Sequence, residues 1–196
     1  MPSIARGVAL VDVLASATVI LILAGMTLPV ALTTRDRIEG RFAARYLAGR
    51  FHAARLEAVR RNAAVALEIS ASRDDPAFRL IADGNGDGVR AADIASGIDP
   101  PLEPAEALTD RFPGVRFEVP FSLPEPDGSG RIEAGSDPLR FGSTAFIAFS
   151  PLGSATSGTA YLTDRSGRVL AVRILGATGR VRVLTFERHV GRWTEE

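Results

Sequence analysis

The chain has 196 residues, 46% of them apolar and 23% charged, a globular composition rather than a disordered one. Its 23 basic and 23 acidic side chains cancel, which excludes a uniformly basic nucleic-acid binder and an acidic solvated tail. With no cysteine there are no disulfides, thiolate metal sites or cysteine nucleophiles, and His52 and His189 are too few for a three-histidine zinc site.

The first predicted element is a membrane helix. From Val13 to Thr34 run 22 residues without a charge; at 1.5 Å per residue they span about 33 Å, against a hydrocarbon core of about 30 Å. Such a segment is apolar on every face, and Leu28–Thr33 offers only a poor small-x-small cleavage site, so it reads as a retained anchor. Asp12 stands at its mouth, where an acid deep in lipid costs roughly 2.5–3.5 kcal/mol and calls for a neutralising partner. Pro29 lacks a backbone donor and is the place for a kink.

Residues 35–62 continue as an amphipathic helical stalk. At 100° per residue Ile38, Phe42, Tyr46, Gly49, Ala53 and Leu56 share one arc of about 80°, the stripe expected to carry a globular head. Gly40 and Gly49 weaken the run by about 1 kcal/mol each relative to Ala.

After Asn62 the period changes to that of strands. Val65–Ser70, Phe78–Ala82, Val115–Phe121, Ala145–Phe149, Thr159–Thr163, Val169–Leu175 and Arg180–Phe186 alternate or run apolar between turn residues. Asp164–Gly167 and Gly176–Gly179 have hairpin-turn compositions. Ile98–Pro138 holds most of the prolines and reads as a long excursion between strands. The expected class is α+β, one long helix packed on an antiparallel head.

The zero net charge hides segregation. Residues 35–61 carry a net of +5, residues 62–137 a net of −9 and residues 138–196 a net of +4, which suggests complementary surfaces between neighbouring copies as readily as ordinary surface drift. Residues 165–194 alone carry +6. Arg180 and Arg182 share one strand face there, followed by Arg188, Arg192 and Trp193, a candidate backbone-and-stacking surface for DNA. The competing reading is a solvated face, or a patch that docks an acidic sister subunit.

Asp83-Gly84-Asn85-Gly86-Asp87-Gly88-Val89 resembles the start of a calcium loop, with oxygen ligands at alternate positions and Gly at the sharp turn. The candidate ligands are Asp83, Asn85, Asp87, Val89 and Asp93, for a structural Ca²⁺ if any. Ile94 stands where the closing acid is usual, and Asp99 would have to swing in. A plain turn uses the same residues. No cofactor is required by any motif. His52, in the Arg-rich stalk, and His189 have no Gly-x-Ser-x-Gly or His-Glu-x-x-His around them, so an enzyme is not expected.

Residues 1–69 and 141–183 resemble a known family. The leader Met1–Gly7, the apolar Val8, the acid Asp12 and the apolar helix behind it resemble the class III signal of type IV prepilins and type II secretion pseudopilins. Val8 stands where Phe or Met is usual and Asp12 where Glu dominates, while a Pro at the place of Pro29 is common. The stretch Phe51–Asn62 with its Ala54, Arg55, Glu57 and Arg61, followed by Ala64–Leu67, then Phe149–Gly153, Gly158–Leu162, Val169–Val172 and Gly179–Arg182, is similar to passages of GspH/FimT-type minor pseudopilins. The resemblance implies cleavage between Gly7 and Val8 by a prepilin peptidase and N-methylation at Val8. It implies pairing of Asp12 with the terminal amine of a neighbouring subunit, and a filament built by helix packing. The domains would be a leader (1–7), a transmembrane helix (8–34), a stalk (35–62) and a periplasmic β-rich head (63–196). The implied partners are other major and minor pseudopilins, the peptidase, an inner-membrane assembly platform and inner-membrane lipid, the chain crossing the bacterial inner membrane once. Some FimT-type members are associated with DNA uptake, which keeps DNA open as a partner.

Overall fold

The computed structural model describes residues 4–70, 76–142 and 146–196. One helix dominates: α1 (Ile4–Arg61) is unbroken over 58 residues, about 87 Å at 1.5 Å per residue. It starts inside the expected leader, whose Met1–Ser3 lie outside the described residues, and it runs through Pro29 without interruption. Asn62 ends it in the left-handed region at φ 52°, a position that asparagine tolerates well. Among the described residues no helix is long and apolar enough to cross a membrane. The side chains of residues 24 and 26–33, part of the uncharged run, lie outside the described ones.

Among the described residues twelve strands and two short helices follow. They are β1 (Val65–Ile69), β2 (Ala77–Ala82), α2 (Ala91–Ser96), β3 (Glu106–Ala107), α3 (Leu108–Arg111), β4 (Arg116–Phe117), β5 (Leu123–Pro124), β6 (Arg131–Ile132), β7 (Leu139–Arg140), β8 (Phe146–Phe149), β9 (Gly158–Thr163), β10 (Val169–Leu175), β11 (Arg180–Glu187) and β12 (Arg192–Glu195). Pairing is antiparallel and makes a sheet of order β3-β2-β1-β8, a second of order β12-β11-β10-β9-β4 with β7 also on β9, and the β5–β6 ribbon. The α+β expectation holds. Of the predicted strand over Val115–Phe121, only β4 pairs, with β9. Val115, Phe117 and Val119 are buried with period two, but beyond Phe117 the chain leaves the sheet edge. The Glu118 carbonyl there accepts the Thr163 hydroxyl and Val119 joins a different core.

The main core lies between α1 and both sheets, and the face that α1 turns to it differs from the predicted stripe. Ala43, Ala44, Leu47, Ala48, Phe51, Ala54 and Ala58 are buried against Leu67, Phe149, Leu162 and Leu170. Ile38, Phe42 and Leu56 are 48%, 58% and 69% exposed. At 100° per residue the two stripes lie on nearly opposite sides of the helix. The cause is steric. An alanine face lets the helix axis come close to two sheets, and at Gly40 a Cβ would stand 3.0 Å from Asp164 Cβ and 3.2 Å from Leu170 Cδ1. Of the predicted stripe, Tyr46 alone among the large residues packs on the head, with its ring 5.7 Å from that of Phe112.

The second sheet has two dressed faces. Ala160, Leu162, Leu170 and Val172 point to α1, while Tyr161, Val169 and Ala171 point away. The outer face is covered by part of the Pro-rich excursion, with Val119, Leu123 and Ile132 packed against Phe186 and Trp193.

Candidate functional site

The signal-like residues all sit on α1. Gly7, Val8 and Pro29 fall within its helical backbone, their side chains lying outside the described ones, and Asp12 is exposed. Where α1 meets the head, Glu39 Oε1 accepts the Gly114 N–H at 2.8 Å. Asp164, buried in the β9–β10 turn, accepts from Ser166 N, Ser166 Oγ and Arg168 N through Oδ1, and its Oδ2 faces Gly40. This joint was not predicted, although Gly40 between charged residues on a helix was a signal for it.

Below the joint, the outer side of α1 presents Phe42, Leu56 and Val59, with Gly49 open enough that a Cβ would meet nothing within 4 Å. Phe42, Gly49 and Leu56 recur at intervals of seven, a seam that a second helix can occupy. Glu57 takes hydrogen bonds from Arg60 and Arg61 beside it, which hold its carboxyl down at about 2. His52 is exposed on the same helix.

Much of the segregated charge is consumed within the chain. Arg50 pairs with Glu103 and, at 3.1 Å, with Glu106, so the acidic excursion folds onto the basic stalk. The Tyr46 hydroxyl donates to Glu106 at 2.7 Å, and burial followed by that hydrogen bond raises the phenol.

The predicted arginine surface divides in two. Arg180 and Arg182 lie together at one end of β11 and share Glu195, with Arg180 Nη2 3.7 Å from its Oε1. The Arg182 hydrogen bond lowers the Glu195 carboxyl and raises the guanidinium in turn. Arg188 lies at the other end, about 20 Å away along a strand, with its guanidinium 4.5 Å from the Phe121 ring centroid. Arg192 stands opposite Glu187 in the β11–β12 register. Glu196 ties the end of the chain to Arg41 at 2.9 Å and Arg45 at 3.8 Å. His189 Nδ1 is 3.7 Å from Glu187 Oε2.

The glycine-rich acidic loop is organised by backbone donors. Asp83 accepts N–H groups from Asn85, Gly86 and Gly88; Asn85 accepts from Asp87 N, and Asp87 pairs with Arg90 at 2.6 Å. Asp99, fully buried, does swing in, but it accepts Gly84 N at 2.9 Å and Arg90 N at 3.0 Å. Asp93 sits in α2 and its carbonyl receives Ile98 N and Asp99 N. Val89 is half-buried beside them. Among the described residues no group of three or more His, Cys, Asp or Glu side chains is arranged to hold a metal ion.

The fold defines a class: an α+β chain with one long helix as its spine and an antiparallel head packed on it. The family of type II transport protein GspH matches residues 43–179, more than half of the chain, and the chain belongs to that family. Its members are structural, membrane-anchored pseudopilins of type II secretion. No curated protein and no solved structure matches this chain.

Proposed function

We propose that this chain is a minor pseudopilin of a type II secretion pseudopilus, cut by prepilin peptidase between Gly7 and Val8 and N-methylated at Val8. Residues 8–34 then anchor it in the inner membrane with its head in the periplasm. Asp12 pairs with the amine of a neighbouring subunit, and α1 packs against the helices of other major and minor pseudopilins on the assembly platform. The observation that carries this reading is the outer seam of α1. A helix that buries its small residues against its own head and leaves Phe42, Leu56 and Val59 in water has a second partner to cover them. Intact mass after co-expression with a prepilin peptidase tests it. Loss of Met1–Gly7 with gain of one methyl group, abolished by a Gly7 substitution, is expected; an uncut chain beside a cut control prepilin overturns it.

A second reading, a FimT-like minor pilin of a type IV or competence pilus that binds DNA, draws on Arg188 over Phe121 together with Arg192. Against it, Arg180 and Arg182 already share Glu195.

A further inference from the structure

The face of the second sheet turned away from α1 carries a polar cleft of about 430 Å³ between the chain around β5–β7 and strands β9 and β10. Its charged lining is Glu125, Asp127 and Asp137 against Arg140 and Arg173. Arg140 Nη2 lies 3.2 Å from Glu125 Oε1, and Arg173 Nη2 lies 2.8 Å from Asp127 Oδ2. Asp127 also accepts the Ser129 hydroxyl and N–H, and these bonds with Arg173 hold its carboxyl well below the usual range. Asp137 has no such cation among the described residues. Its Oδ1 accepts the Leu139 N–H at 2.9 Å, and Oδ2 keeps its full acceptor capacity. The cleft therefore carries three carboxylates against two guanidiniums, with Asp137 exposed at its rim.

Tyr161 supplies the second observation. The residue is 1% exposed and its ring packs 6.0 Å from that of Trp193, yet its hydroxyl opens into the cleft, and no described residue hydrogen-bonds it. Burial and then the Glu125 carboxylate push the phenol up to about 12, so the strongest charge the oxygen feels is negative. The ring is buried while the oxygen is reached from the cleft, so it is free to accept from a donor that enters there.

We propose that this cleft is a socket for an arginine side chain of a partner protein, with Asp137 as its charge partner and the Tyr161 oxygen as a second acceptor. The planar guanidinium carries five donors in a fixed fork and can bond acceptors on two different elements, which a point-like ammonium does less well. The excess negative charge turns away phosphate and carboxylate ligands. Because the cleft faces away from α1, the socket stays open when α1 is packed against other helices. The inference does not rest on the secretion reading.

Trp193 is the single tryptophan and touches Tyr161, so its fluorescence reports on the cleft. The full chain in detergent micelles is titrated with N-acetyl-arginine amide, with the uncharged N-acetyl-citrulline amide and with N-acetyl-glutamate amide. A saturable change with the arginine probe alone is expected. Its dissociation constant rises about tenfold or more in Asp137→Asn and in Tyr161→Phe, the loss that follows from removing a hydrogen bond to a charged group. Both substitutions keep side-chain size, and near-UV circular dichroism checks that each variant is folded. An absent or non-saturable change, an equal response to citrulline, a preference for the glutamate probe, or unchanged affinity in both variants overturns the proposal.

Discussion

The two sides of α1 obey different rules, although they share every residue's backbone. The inner side is built from Gly40, Ala43, Ala44, Leu47, Ala48, Phe51, Ala54 and Ala58, all buried, where smallness sets how near the helix lies to the sheets. The outer side carries Ile38, Phe42, Leu56 and Val59, larger and in water. Bulk alone therefore does not mark the buried face of this helix, since Leu47 and Phe51 are buried on one side while Ile38, Phe42 and Leu56 stand exposed on the other. On the inner side Gly40 and the alanines let the helix lie close to the sheets, and Leu47 and Phe51 fill the space between them.

The sharpest way to break that comparison is to truncate one phenylalanine on each side. Phe51 is fully buried and packs on Phe141 and Phe149 at ring distances of 5.9 and 6.5 Å, so Phe51→Ala is expected to cost about 3–5 kcal/mol. Phe42→Ala is expected to stay within about 0.5 kcal/mol, as surface changes do. Chemical denaturation of the full chain in micelles measures both. Phe42→Ala paired with Leu56→Ala is expected instead to reduce pseudopilus assembly. A loss of several kcal/mol at Phe42 would show that the outer seam serves the monomer.

The glycines give the same contrast on a smaller scale. A side chain at Gly40 enters space already taken by Asp164 and Leu170; Gly40→Leu is overpacking, with an expected cost of about 1–3 kcal/mol. Gly49 faces open space, and Gly49→Leu is expected to stabilise the isolated subunit by up to about 1 kcal/mol through helix propensity. Thermal melts of the two variants should move in opposite directions. Shifts of the same sign would mean that Gly49, too, is packed against the head.

These contrasts also show what was legible beforehand. The strands β9 to β11 and their turns read correctly because runs of apolar and β-branched residues are bounded by the turn residues Asp164–Gly167 and Gly176–Gly179. The helix was legible as a helix, but its face was not, since hydrophobic arcs are weighted by size and this face has only Leu47 and Phe51 among alanines and Gly40. Charge segregation was visible in the composition. Its outcome was not, because whether Arg50 meets Glu103 within one copy or across two depends on where the excursion folds. The arginines at 180, 182, 188 and 192 looked like one patch because sequence proximity hides the length of β11. The cleft at Tyr161 was missed because its lining comes from segments up to about 50 residues apart. Only the polar Thr159, Tyr161 and Thr163 on one face of an otherwise apolar strand hinted that this side had its own surroundings.

A contrast that emerges only at high pH separates the two tyrosines, one beside α1 and one on the outer face. Tyr161 is raised from 10.0 to about 12, and Tyr46 is raised as well. A phenol whose pKa is higher in the folded state than in the unfolded one stabilises the fold fully below pH 10. It loses that contribution as pH rises through the folded value, by up to about 1.4 kcal/mol per pH unit and per group. Stability from chemical denaturation should therefore hold to about pH 10 and decline toward pH 12. Tyr161→Phe keeps the ring against Trp193 and removes the ionisable oxygen, so it should flatten most of that decline, with Tyr46→Phe flattening less. If Tyr46→Phe had the larger effect, the outer face would be the wetter of the two, and the negative surroundings assigned to the Tyr161 hydroxyl would have to be given up.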